Sequence, residues 1–312
     1  MALRKARRQP RLVLLALLAA VLCSVGAVHV GRAEAADSPV PQKRFVWMIT
    51  LRSLRRLTAL PGSDAAVKTF FGSQRYSILV GGPHSRYPSL PARRSLAFGS
   101  YRSMHSGVAS SPSPHTPRVV ILDLERWSQT PPGEQRQPAR YYRLAGRLAR
   151  RKGLLLVATP SSNLVEPWPV RFIPAYVSYL QSGLVGEVAK AADVFEVQAQ
   201  GFERQTALYK EFVANAADQA RDANPHVTVI AGLSTNPGGR GVPAIQLYRD
   251  ALAARPYVDG FWLNIPAKSQ ACRRCGVARP EIALELLRKL MHDSAFLPGA
   301  RPVAATAGQQ GA

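Results

Sequence analysis

What the chain lacks narrows its chemistry first. Its 312 residues hold three cysteines, too few for a four-thiolate zinc site. None of the six histidines stands in His-Glu-x-x-His or His-x-His spacing, which removes the usual helical and strand-borne metal pairs. His84, His105, His115 and His226 are isolated in loop-like stretches, His29 is in the N-terminal segment, and His292 follows the last helix. No Gly-x-Gly-x-x-Gly follows a strand-like run, so a dinucleotide fold is not indicated. No Gly-x-Ser-x-Gly is present, and Asn236-Pro-Gly-Gly-Arg-Gly241 lacks the Lys-Ser/Thr ending of a phosphate loop. No cofactor and no metal is therefore expected.

Acid is scarce as well. Nineteen Asp and Glu face 41 Lys and Arg, a net charge of +22. Such a surface attracts polyanions, whether wall polymers or nucleic acid. The arginines are scattered, however, as Arg52, Arg55 and Arg56, then Arg93 and Arg94, Arg147, Arg150 and Arg151, and Arg273 and Arg274. No recognition helix, zinc finger or RNA-binding signature accompanies them. The expected partner is a polysaccharide or another anionic surface polymer rather than a specific nucleic acid, and the protein is expected to be a monomer.

Long apolar runs are also missing, apart from Leu12–Val28. Arg4, Lys5, Arg7, Arg8 and Arg11 precede that run, and Ala33-Glu34-Ala35 follows it. This is the order of a secretory signal peptide, giving a signal over 1–35, a linker over 36–44 and one domain over 45–312. Secretion to the extracellular side is the expectation. The run of 17 residues is at the short edge of a membrane span, so an uncleaved N-terminal anchor is the alternative. Cys23 follows Leu22, too bulky for a good lipoprotein signal. Cleavage after Ala35 would leave 35 basic and 18 acidic residues and only Cys272 and Cys275. In an oxidising compartment the pair favours a local disulfide. A redox pair with arginine-lowered thiol pKa and half a zinc site are the other readings.

What is present is a series of short β-rich segments separated by helical stretches. Strands are expected at 45–50, 76–80, 118–125, 154–159, 194–200, 227–235, 258–265 and 302–306, and helices at 63–72, 140–151, 175–191, 204–223, 244–254 and 281–291. The segment from His84 to Pro117 reads as a long Ser/Pro/Gly/Arg excursion with room for a short strand at 96–101. If that strand belongs to the barrel, the last one must be dropped. Eight strands alternating with helices predict an α/β fold, a single-domain (β/α)8 TIM barrel. An open, doubly wound sheet is the alternative.

Several strands turn polar where they stop, as barrel strands do at the end that carries the active site. Asp123 and Glu125 are two apart after the apolar run Val119–Leu122 and so share a face. Glu196, Gln198 and Gln200 repeat the pattern on a later strand. Two carboxylates can divide the work of glycosidic hydrolysis. Glu125 is then the proton donor, Glu196 the base or nucleophile, and Asp123 a like-charged neighbour raising the pKa of Glu125. An Asp-x-Glu pair also fits substrate-assisted hydrolysis of an N-acetylated sugar, with Asp123 steadying the acetamido group. Gln198 and Gln200 are candidate substrate-orienting amides. Trp262 with Asn264, Trp127 and Trp168 lie beyond strand ends where rings can stack on a sugar, and Trp47 reads as core.

The segments Val-Val-Ile-Leu-Asp123-Leu-Glu125-Arg-Trp127, Phe195-Glu196-Val-Gln198-Ala-Gln200 and Gly260-Phe-Trp262-Leu-Asn264 together resemble those of secreted glycoside-hydrolase-like TIM-barrel proteins of actinobacterial type, distantly the chitinases. The resemblance implies a barrel over roughly 45–305, Glu125 as general acid and Trp262 at the pocket floor. The chain departs from the chitinase pattern upstream of Asp123, where plain Val-Val-Ile-Leu stands, and at the later Tyr-Asp pair, where Gln198 and Gln200 stand instead. A non-catalytic glycan- or wall-binding barrel is the alternative function.

Overall fold

The computed structural model describes residues 43–109, 117–165, 175–269 and 272–301. The signal segment, most of the linker, His115, Trp168 and the expected strand at 302–306 lie outside those residues. Eight parallel strands close into a barrel in chain order: β1 (Val46–Thr50), β2 (Ser77–Gly81), β3 (Arg93–Phe98), β4 (Val119–Leu122), β5 (Leu155–Ala158), β6 (Val194–Val197), β7 (Thr228–Ser234) and β8 (Gly260–Asn264). β8 returns to β1, with Val46 opposite Gly260 and Met48 opposite Trp262.

The third strand corrects the count. It runs from Arg93 to Phe98, inside the stretch expected to be mostly irregular, and it completes the eight with no strand from 302–306. Arg93, Arg94 and Ser95 disguise it by opening the strand with polar residues, whereas Leu96, Ala97 and Phe98 alternate as a strand should.

Ten helices were found among the described residues: α1 (Leu51–Thr58), α2 (Asp64–Phe71), α3 (Tyr101–Ala109), α4 (Pro132–Arg136), α5 (Pro138–Arg151), α6 (Ala175–Gln181), α7 (Leu184–Ala189), α8 (Thr206–Ala223), α9 (Ala244–Ala254) and α10 (Pro280–Leu290). The single helix expected over 175–191 is two, because Gly183 adopts φ 73° between them. Such a backbone is inexpensive only for glycine. α1, α3 and α4 were not expected. α1 begins directly at the end of β1, where the Thr50 side chain accepts from Ser53 N and caps it.

Alternation along the strands builds two apolar compartments. Met48, Ile78, Val80, Val119, Ile121, Val157, Ile230 and Trp262 fill the barrel interior. Trp47, Ile49, Leu79, Leu96, Val120, Leu122, Leu156, Phe195, Val229 and Phe261 face outward onto the buried faces of the helices. Trp47 is fully buried and donates its indole N–H to Phe296 O at 2.7 Å, as its core reading requires. Below β1, Phe45 N donates to Ala300 O at 3.0 Å and Gly299 N donates to Phe45 O at 2.9 Å. The Arg255 guanidinium lies 4.1 Å from the Phe45 ring centroid and donates to Ala295 O and Arg301 O. The segment near residue 300 is thereby fastened beside the first strand.

Candidate active site

The interior columns continue past the apolar layer into polar residues at the C-terminal end of the barrel. On β4 the column runs Val119, Ile121, then Asp123, whose N–H still donates to Phe98 O at 2.9 Å. On β5 it runs Val157 and then Thr159, on β6 Val194, Glu196 and then Gln198, and on β8 Trp262 and then Asn264. These side chains converge. Thr159 Oγ1 donates to Asp123 Oδ1 at 2.9 Å, and Gln198 Nε2 donates to the same oxygen at 3.0 Å. Gln198 Nε2 also reaches Thr159 O at 3.0 Å, so one amide ties β4, β5 and β6 together.

Tyr142 on α5 fixes the backbone around Asp123. Its hydroxyl donates to Leu122 O at 3.2 Å and accepts from Leu124 N at 3.3 Å. Glu125 is held from the other side. Its N–H donates to Thr130 Oγ1 at 3.3 Å, and that hydroxyl donates to Gly99 O at 2.6 Å. The Trp127 indole N–H also ends on Thr130 Oγ1, at 2.8 Å, which pins the half-buried ring at the rim.

Glu196 is almost completely buried, with 1% of its surface exposed. Gln200 Nε2 donates to its Oε1 at 3.2 Å. Gln200 occupies that place because Gly232 on β7 has no side chain, and a Cβ there would collide with the Gln200 amide. The carboxylate of Glu196 is thus enclosed beneath the mouth, whereas Asp123 and Glu125 are half-buried at it.

The electrostatics follow from this packing. Burial is the main force pushing Asp123 up to about 6, against the lowering hydrogen bonds from Thr159 and Gln198. Burial and then the adjacent Asp123 charge push Glu125 up to about 7, against a hydrogen bond from Gln198. Burial, followed by the charges of Asp123 and Glu125, raises Glu196 well above the usual range. The three acids therefore titrate as one system rather than separately. Burial and mutual repulsion thus push Glu125 toward the neutral range, where a general acid works best.

Trp262 is 8% exposed, and its buried Nε1 has no hydrogen-bond partner among the described residues. Asn264 is half-buried and stands in register with Ser234 of β7. Below the loop after β6, Glu203 is fully buried and accepts from Ser234 N at 2.9 Å and from Gly201 N. Burial pushes it up to about 7.

The structure thus brings together Asp123, Glu125, Glu196, Gln198 and Gln200, with Trp127 at the rim; Trp262, expected beyond a strand end, lies instead within β8 in the interior apolar layer, with Asn264 at the end of that strand. Sequence reasoning noticed Thr159 as a polar strand end without giving it a role, and it did not find Tyr142, Thr130 or Gly232. Thr159 was detectable in principle, since β5 neighbours β4 and its polar end had to face Asp123. Cys272 and Cys275 are joined in a disulfide with their Cα atoms 5.5 Å apart. Asn236 holds this loop against β7, donating to Cys275 O at 2.7 Å, Val277 O at 3.0 Å and Pro266 O at 3.2 Å.

No family model and no curated protein matches the sequence. Solved structures of similar fold include a GH18 chitinase from Pseudoalteromonas aurantia, 12% identical, covering 70% of this chain and 93% of that one at a TM-score of 0.46. A curdlan-specific exo-β-1,3-glucanase of family GH128 from Blastomyces gilchristii is 11% identical, covering 70% and 92% at 0.42. A 3-deoxy-D-arabino-heptulosonate 7-phosphate synthase from Thermotoga maritima is 10% identical, covering 80% and 86% at 0.42. At such identities the likeness is one of fold alone, and it extends to barrels of unrelated chemistry.

Proposed function

We propose that the protein hydrolyses glycosidic bonds in a polysaccharide, with Glu125 as the proton donor. The observation that supports this most strongly is the Asp123–Glu125 pair at the barrel mouth, with Asp123 held by Thr159 and Gln198 and Glu125 raised by burial and the Asp123 charge. Glu125 gives its proton to the leaving oxygen as the bond to the anomeric carbon breaks, and then takes a proton from the attacking water. The enclosure of Glu196 under Gln200 favours the substrate-assisted form of the reaction over one with Glu196 as nucleophile. In that form the substrate's own acetamido oxygen attacks the anomeric carbon and Asp123 steadies the acetamido nitrogen, while Glu196 stays buried below the pair, its own pKa raised by burial and by their charges. The Trp262 ring supplies part of the floor beneath the sugar.

The same enclosure supports a second reading, a barrel that binds glycan without cleaving it. Sugar release from chitin, peptidoglycan, β-glucans and α-glucans, measured beside Glu125→Gln and Asp123→Asn, separates the two. Release that Glu125→Gln abolishes supports the hydrolase, and the reactive polymer names its class. No release on any polymer, with retained binding that Trp262→Ala removes, supports the binder. We further propose that the chain is exported after loss of residues 1–35 and acts as a monomer outside the cell, in keeping with its disulfide.

A further inference from the structure

The end of the barrel opposite the acidic mouth carries a cavity of about 840 Å³ lined by Gln74, Ala92, Pro117, Val119, Gly153, Leu155 and four arginines, Arg75, Arg93, Arg94 and Arg118. No carboxylate lines it. Among the described residues none of the four guanidinium groups forms an ion pair; Arg93 donates to Gln74 O, and Arg94 and Arg75 lie over the Tyr87 and Tyr76 rings. Ser95 of β3 stands in register with Val119 of β4, so Arg94 and Arg118, one residue earlier on each strand, are neighbours on the same face. Adjacent strands are only about 4.8 Å apart, and like charges at that spacing repel. Carboxylates do reach arginines elsewhere, as Asp259 does Arg221 and Glu187 does Arg143, but none lines this cavity. Four guanidinium groups and no carboxylate around one open cavity make a setting suited to an external anion.

We propose that this cavity is a second binding site, one that takes an acidic polysaccharide. Guanidinium forks match carboxylate oxygens two at a time, which suits a chain bearing uronate groups. The apolar lining of Ala92, Pro117, Val119 and Leu155 offers contact for the C–H faces of its sugars, and no aromatic ring lines the cavity for nucleobases to stack on. The choice of a polysaccharide rests on the sugar-site reading of the mouth; the anion site itself does not. A polymer held at this end raises the effective concentration of its other segments at the mouth.

The test is the affinity of the full chain for polygalacturonate fragments in 150 mM salt. It compares Arg94→Gln/Arg118→Gln with a charge-matched control, Arg147→Gln/Arg151→Gln, on the exposed face of α5. The expected result is a loss of roughly tenfold in the first pair and little change in the second. An equal loss in both would mean diffuse attraction and overturn the proposal, as would no binding by the intact protein. Inorganic polyphosphate or duplex DNA binding as well as polygalacturonate, through the same two arginines, would overturn the assignment to a polysaccharide. Glu125→Gln is expected to leave this affinity unchanged. Sugar release can therefore fail while the arginine site holds, or the reverse.

Discussion

Gln198 Nε2 lies 3.0 Å from Asp123 Oδ1 and 3.0 Å from the Thr159 carbonyl, so the orientation of one carboxylate is decided by two other strands. The amide also eases the ionisation of Asp123 and Glu125, offsetting part of the cost of their burial.

The first consequence is a pH profile. Glu125 acts in its protonated form, and its raised pKa of about 7 places the alkaline limb of kcat/KM near that value. Asp123→Asn removes a neighbouring negative charge and so lowers the pKa of Glu125. The alkaline limb is expected to move to lower pH in that variant, and Glu125→Gln is expected to cost roughly 10²–10⁴-fold in kcat. Initial rates across pH 4–9 check both. An alkaline limb unmoved by Asp123→Asn would contradict the coupling.

Stability has its own pH dependence, in the same direction. Glu196 and Glu203 have folded-state pKa values raised above those of the unfolded chain. Their contribution is fully present below about pH 4.5 and declines as pH rises, for Glu203 until about 7. A tenfold difference in proton affinity between the folded and unfolded chain corresponds to about 1.4 kcal/mol. Urea unfolding is therefore expected to give a higher midpoint at pH 5 than at pH 8. Glu196→Gln, which cannot ionise, should narrow that gap. A wider gap in the variant would refute the assignment.

Trp262 offers a separation of folding from binding. Its indole N–H has no partner among the described residues, so Trp262→Phe gives up no internal hydrogen bond there. The expected stability loss is about 1–2 kcal/mol, from the smaller ring alone. Affinity for sugar should fall several-fold if the indole ring forms part of the sugar floor. Thermal melts set beside binding isotherms of the same variant make the comparison, and equal affinities would assign the tryptophan to packing only.

Asn236 is fully buried and supplies donors to three carbonyls of the cysteine loop. Replacing it by alanine leaves those oxygens without that donor, at roughly 1–3 kcal/mol. Asn236→Ala is expected to lower the urea midpoint by a corresponding amount, and by more than reduction of Cys272–Cys275, which closes only a short loop.

The sequence conveyed the parts that depend on a period of two. Asp123 with Glu125, and Glu196 with Gln198 and Gln200, were grouped by strand alternation in one segment alone; β4 and β6 end earlier than expected, at Leu122 and Val197, so Glu125, Gln198 and Gln200 project from the loops beyond them. The partners that come from other elements were hidden. Thr159 meets Asp123 through the register of β4 with β5, and Tyr142 reaches Leu122 and Leu124 from a helix. Gly232 shows why: its role is to leave space for a Gln200 that comes from the turn after the neighbouring strand. The burial of Glu196 was likewise beyond reach, since a polar strand end gives no sign of how deep in the barrel it stands.

The fastening of Phe45 to Gly299 and Ala300, with Arg255 stacked on the same ring, sets a timetable for the nascent chain. β1 leaves the ribosome early, yet one of its edges stays vacant until β8 and then residue 300 have been made. No partial product can close the ring, so every shorter intermediate carries an open parallel edge awaiting a late arrival. The segment around residue 300 thus acts as the latch for the first strand.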